Sequence, residues 1–214
     1  MSLDRLPLFP LPEVSLFPSA FLPLHVFEPR YRLLTRDVLA GDRRLGLCSL
    51  APGFEKDYDG RPAVRPLGSL GEIVAHDELP GGRYNILVRG LARIRVVEEL
   101  PPTEPYRLVR VEALPDHYRP GVDLALGRQA LVNLCDRLAE VLPSGGSTLR
   151  ALAHQEVDPA ATVDVVAAAL CTQPADRQAL LELLDVSARL ERVSDHVAAL
   201  LQRFHGSGPD PAAN

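Results

Sequence analysis

The chain has no tryptophan, one methionine and three cysteines in 214 residues. Cys48, Cys135 and Cys171 are widely spaced, odd in number and set among apolar neighbours, with no Cys-x-x-Cys or Cys/His spacing. That pattern supports neither a disulfide framework nor a metal site, and reads as small buried hydrophobes in a reducing compartment. Lysine is nearly missing as well, since Lys56 stands alone beside 22 arginines. A G-x-x-x-x-G-K-[ST] phosphate loop needs a lysine that reaches the terminal phosphates, and FEKDYDG around Lys56 has no such glycine frame. A Ser–Lys dyad would have to draw on the same lysine, from a polar loop with no sign of the desolvation that makes lysine a base. G-x-S-x-G and His-Glu-x-x-His are absent, Ser69 reads as a turn residue ahead of a strand, and the six histidines are scattered. Cys48 with a histidine partner is the one nucleophile left open. No run approaches the ~18 apolar residues of a spanning helix, and Asp4, Glu13 and repeated prolines are unlike a signal peptide. A net charge of −5 and 5% aromatics argue against phosphate neutralisation and base stacking. The expectation is a cytoplasmic, non-enzymatic protein with no cofactor, no metal, no nucleic-acid partner and no membrane partner.

What is present is proline inside apolar sequence. Leu6–Tyr31 reads LPLFPLPEVSLFPSAFLPLHVFEPRY, with prolines at 7, 10, 12, 18, 23 and 29. Proline costs ~3 kcal/mol inside a helix, so this cannot be a buried helix. It reads as two strands, Leu6–Phe9 and Phe21–His25, joined through Pro18. Glu28-Pro29 starts a helix carrying Tyr31, Leu34 and Val38 and ending at Gly41. Further strands are expected at Leu45–Leu50, Ser69–His76 and Tyr106–Leu114, with a polar loop at 51–63 and a turn at Gly81-Gly82. The clearest alternation follows that turn. Tyr84, Ile86, Val88, Ala92, Ile94 and Val96 share one parity, and Gly90 marks a bend or bulge.

Near Asp116 the period lengthens to that of a helix. Leu124, Leu131, Leu134, Leu138 and Val141 form a stripe ended by Pro143 and Gly145-Gly146. Asp158-Pro159 caps a helix over Ala160–Cys171, Pro174 opens another to about Leu184, and Asp185 caps a last one with Leu190, Val193, Val197, Leu200 and Phe204 on one side. The organisation expected is a β-rich domain at 1–116, a helical bundle at 117–205 and a disordered tail at 206–214. Successive strands with tight turns suggest an antiparallel, partly closed barrel.

The blocks LPLFPL, SLFP, LPLHVFEPRYRLL, GSLGEIVAHDELPGGRYNILVRGLARIRVVEEL and PYRLVRVEAL occur in this order across residues 5–114. Together they resemble the N-terminal substrate-binding domain of the Lon ATP-dependent proteases, in the stand-alone bacterial form without the ATPase and peptidase domains. The resemblance implies an α+β chain, a PUA-like pseudo-barrel followed by an α-helical bundle. It also implies recognition of peptides or unfolded polypeptide, as an adaptor or scavenger in proteolysis-related quality control, with a Lon-type protease as partner. An RNA-binding PUA-like module, or an enzyme or small-molecule sensor with an unrecognised pocket, are the rivals.

Two sets of residues are candidates for binding. Arg83, Asn85, Leu87, Arg89, Leu91, Arg93 and Arg95 alternate along one strand. They read either as the solvated side of a half-buried sheet or as a basic, partly apolar surface for an extended acidic peptide. Phe27, Glu28, Pro29, Arg30 and Tyr31 form the second set. Its architectural reading puts Phe27 and Tyr31 into the barrel opening while Glu28 pairs with Arg30.

Overall fold

A computed structural model describes residues 2–57 and 60–206; the expected tail beyond Gly206 lies outside them. The chain forms two compact units, residues 1–115 with 173–182, and residues 116–172 with 183–214. Ten residues from the helical part thus belong to the first unit, where a contiguous helical block was expected.

The first unit is built on β1 (Ser2–Leu11), β2 (Phe21–Val26), β3 (Arg44–Ser49), β4 (Leu67–Leu79), β5 (Arg83–Glu99) and β6 (Arg107–Leu114), with helix α1 (Pro29–Ala40) between β2 and β3. The strands lie in the order β2-β5-β4-β3-β1-β6, and β6 also pairs with β5, so five strands close on themselves and β2 stands outside as an edge. β1 changes partner at Leu8: it runs antiparallel to β6 up to that residue and parallel to β3 from it onward. Pro7 and Pro10 therefore sit where β1 is paired on one side only, and their missing N–H groups cost no bond on the open side. The parallel β1–β3 pair departs from the all-antiparallel expectation. The path through β2 and α1 is long enough to bring the chain back in the same direction, which a hairpin cannot do.

Local sequence explains the elements. Pro29 opens α1 at its first turn. The helix stops at Gly41, but the residue in the left-handed region is Arg43 (φ 62°). Gly81 and Gly82 both have positive φ, at 81° and 70°, the geometry that joins two strands through a tight two-residue turn. Barrel packing is apolar: Leu6, Leu8, Cys48, Leu70, Ile94, Val109 and Val111 form one buried cluster. α5 (Pro174–Glu182) completes this unit. Gln178 donates to the Leu67 carbonyl at 3.1 Å, the Arg177 guanidinium lies 5.3 Å from the Phe17 ring centroid, and Arg93 donates from Nε to the Leu181 carbonyl at 2.9 Å.

The second unit contains α2 (Leu124–Val141), α3 (Gly146–Gln155), α4 (Pro159–Leu170) and α6 (Val186–Gly206). Asp123, Asp158 and Asp185 accept hydrogen bonds from Leu126, Ala161 and Ala188 backbone N–H groups and cap three of these helices. α3 is absent from the sequence-based expectation. Gly145-Gly146 reads as a terminator, whereas Gly145 (φ 76°) is a corner from which a helix restarts at once. The stripe of α2 centres on Leu131, Cys135 and Leu138; that of α6 runs through Leu190, Val193, Val197 and Leu201, leaving Phe204 39% exposed. Arg189 is buried and ties the bundle together. It lies 2.8 Å from Asp116 and 3.4 Å from Asp164, and donates to the Leu183 carbonyl at 2.8 Å. Among the described residues no helix is long and apolar enough to cross a membrane.

Candidate functional site

Strand β5 carries seven of the candidate side chains, and its ladder with β4 decides where each one points. Leu70 pairs with Ala92, yet Gly71 pairs with Gly90, so Leu91 is an extra residue with no partner on β4. Such a bulge reverses which face each parity occupies. Tyr84, Ile86 and Val88 lie on the face shared with Gly71 and Ile73. Beyond Leu91, Ala92 and Ile94 lie on the opposite face, with Leu70. The β5 residues among these are all sequence-even, but they enter two different packing regions. Gly90 sits beside the bulge because a Cβ there would meet the Phe17 carbonyl oxygen at 2.0 Å; its N–H donates to the Ala20 carbonyl at 2.9 Å.

The same reversal divides the arginine row. Arg83, Asn85, Leu87 and Arg89 share one face, and Arg93 and Arg95 are on the other. Arg93 is only 2% exposed and belongs to the packing under α5. Burial replaces the solvated or peptide-facing position expected for it, because its Nε finds the Leu181 carbonyl. Arg95 is exposed and paired with Glu112 at 3.0 Å. Leu91, the bulge residue, packs partly against the barrel cluster. The structure therefore brings four of the seven together and separates the other three.

The four that remain meet β2. In the β2–β5 ladder Phe21 is opposite Arg89, Pro23 opposite Leu87 and His25 opposite Asn85. Ala75 of β4 is opposite Leu87 on the other side. Phe21 is 52% exposed, and Pro23 and His25 are exposed beside it. Phe27 is 60% exposed and stacks on His25, with ring centroids 6.1 Å apart. Tyr31 is buried and stacks on Phe9 at 4.3 Å, and Glu28 pairs with Arg30 at 3.0 Å, as the architectural reading has it. Phe27 does not plug the barrel: it is the first residue beyond β2, and its ring turns to the solvent side with that of His25.

Several polar side chains on this face have partners in the sheet or its turn. Arg89 is 2.9 Å from Glu72, Arg83 donates to the Pro80 carbonyl at 3.2 Å, and His25 is 2.8 Å from Asn85. Phe21, Pro23 and Phe27 are exposed on this face beside the half-buried Leu87, with the exposed carboxylate of Asp77 opposite Asn85. The arrangement suits an apolar extended segment better than the acidic one expected from the arginines. Pro23 also removes one donor from the outer edge of β2, which weakens strand addition there. Sequence reasoning placed Phe21, Pro23 and His25 in a strand and outside the binding candidates. The proline within the strand was the available signal that β2 is an edge.

The buried cysteines are poorly placed as nucleophiles. Burial pushes the Cys48 thiol up to about 12, with Arg107 opposing weakly, and also raises Cys135 to about 12. A thiol so placed stays protonated at neutral pH and is a poor nucleophile.

Comparison with known proteins agrees with this architecture. The family model described as ATP-dependent protease La (LON) substrate-binding domain matches residues 5–199. The Lon protease of Roseiflexus castenholzii is 32% identical over 191 residues, covering 89% of this chain and 23% of the relative. The Lon protease of Dictyoglomus thermophilum is 29% identical over 200 residues, covering 93% and 25%. The chain thus spans about a quarter of the length of these relatives. The N-terminal domain of Mycobacterium avium complex Lon protease superposes with a TM-score of 0.71 at 18% identity, covering 91% of this chain and 98% of that one. A Lon N-terminal domain protein from Xanthomonas campestris gives 0.62 at 25% identity, covering 89% and 97%.

Proposed function

This chain belongs to the Lon substrate-binding domain family, and from that premise we propose that the exposed face of β2, β5 and β4 binds apolar, extended segments of unfolded polypeptide without chemical turnover. The observation that carries the reading is the set Phe21, Pro23 and Phe27, exposed beside the half-buried Leu87, with Arg89 already paired to Glu72. An unfolded segment offers apolar side chains every second residue, the spacing at which a strand face presents its own. Binding through side chains rather than a long free edge gives breadth of recognition with limited self-association. The segment so held would be passed to a Lon-type protease, which makes the chain an adaptor in protein quality control within the cytoplasm. A nucleic-acid reading draws no support from this face, where Arg89 is spent on Glu72.

The absence of tryptophan supplies the test. In Phe21→Trp the indole is the sole such fluorophore, and adding reduced, carboxymethylated α-lactalbumin, which cannot fold and has its own tryptophans replaced by phenylalanine, should shift the emission to the blue in a saturable way. Leu87→Asp in that background should remove the shift while the melting temperature stays within a few degrees. No shift at ~100 μM unfolded protein, an affinity weaker than about −5.5 kcal/mol, would count decisively against the proposal.

A further inference from the structure

α1 presents a second surface, on the other side of β5 from the apolar face. Pro29, Arg32, Leu33 and Arg36 recur at helical spacing along it and form one wall of a cleft of about 380 Å³. The opposite wall comes from the β4–β5 hairpin: Glu78, Gly82 and Tyr84. Glu78 and Tyr84 are directly paired across the ladder, and Tyr84 has the opposite parity to Arg83 and Asn85. The volume falls in the range of small-ligand sites.

Arg32 is held in place before any ligand arrives. Its Nε donates to the Gly82 carbonyl at 2.8 Å, and a Cβ on Gly82 would lie 2.8 Å from its Nη2, so the guanidinium sits close against this turn. Its other donors have no protein partner among the described residues. Arg36, one turn on, uses Nε and Nη2 on Asp37 at 3.1 and 3.0 Å, and the other oxygen of Asp37 accepts from the Tyr106 hydroxyl at 3.0 Å. The cleft is thus lined by two guanidiniums, Arg32 fixed on the hairpin and Arg36 paired with Asp37, and by one carboxylate, Glu78. Leu33, Pro29 and the Tyr84 ring supply apolar wall.

We propose that this cleft binds an organic carboxylate carrying one negative charge next to an apolar group, such as the C-terminal end of a polypeptide. A planar carboxylate matches the arginine fork. Glu78 opposes an anion of higher charge, and the apolar wall disfavours a bare inorganic ion. The proposal does not depend on the apolar face, which lies across the sheet and is probed by a different ligand.

Titrating isotope-labelled protein with N-acetyl-leucine, N-acetyl-leucinamide and inorganic phosphate, and following backbone amide resonances, tests it. The acid should move Leu33, Gly82 and Tyr84, and the amide should not. Arg36→Gln, a change at an exposed side chain, should weaken the acid roughly tenfold, the loss expected for a charge-assisted hydrogen bond. Glu78→Gln should let phosphate bind where the parent chain rejects it. N-acetyl-Ala-Ala-Leu separates the two sources of such a carboxylate: tighter binding than N-acetyl-leucine assigns the cleft to polypeptide ends, and equal binding to free acids. Equal binding of acid and amide, shifts confined to other residues, or phosphate binding the parent chain as tightly as the acid would each overturn the proposal.

Discussion

The two halves of β5 carry nearly the same pattern and meet opposite fates. Residues 83–89 read Arg-x-Asn-x-Leu-x-Arg and residues 91–95 read Leu-x-Arg-x-Arg. In the first half the odd positions look outward, and Arg89 is exposed beside Glu72. In the second half Arg93 is buried beneath α5. The arginines are chemically identical; their neighbours differ. The first half is flanked by β2, whose other edge carries no strand among the described residues, while the second is flanked by β6 within the closed barrel. One unpaired residue between them, Leu91, lets a single strand serve both environments.

A slip of one residue beyond the bulge should have the largest effect. Inserting one alanine after Ala92 puts Arg93 opposite Gly68, in the place of Ile94, and the first unit should fail to fold, seen as collapse of amide dispersion in its resonances. Next comes the core of the second half. Ile94→Ala should cost about 2–5 kcal/mol in denaturant unfolding, as for other fully buried aliphatic truncations. Leu87→Ala, half-buried in the first half, should cost well under that. The arginines give the sharpest contrast. Arg93→Ala leaves the Leu181 carbonyl without this donor and should cost about 3 kcal/mol, against less than about 1 kcal/mol for Arg89→Ala. Equal losses for the two would erase the distinction drawn here.

The smallest effect is a pH dependence. Burial, with the hydrogen bond to Asp37 next, raises the Tyr106 phenol from 10.0 to about 12. A group whose proton is held more tightly when folded stabilises fully below its unfolded value. Its contribution falls as pH rises from about 10 and is gone near 12. The stability difference between the parent chain and Tyr106→Phe should therefore shrink across that window and stay level between pH 6 and 9.

Much of this was legible in the chain itself. The strands, α1, the Gly81-Gly82 turn and the caps at Asp158 and Asp185 follow from local chemistry: proline without a donor, glycine at positive φ, and carboxylates beside free N–H groups. The bend at Gly90 was visible too, but not that the neighbouring Leu91 would reverse the faces, because a bulge is a relation between two strands. α3 was hidden by a glycine pair that reads as an ending. The burial of Arg93 and Arg189 was hidden because arginine ordinarily signals solvent, and both find carbonyl partners that are remote in sequence or at a helix start.

Sequence by itself determined the family and the succession of the strands and of every helix but α3, since each rests on residue type and short-range spacing. Tertiary structure alone decided which arginines face water, that Phe21 and Phe27 are left uncovered, and that Arg32 is laid against the hairpin turn. Those outcomes depend on partners far along the chain, and periodicity records only the alternation of sides, never what lies opposite each side.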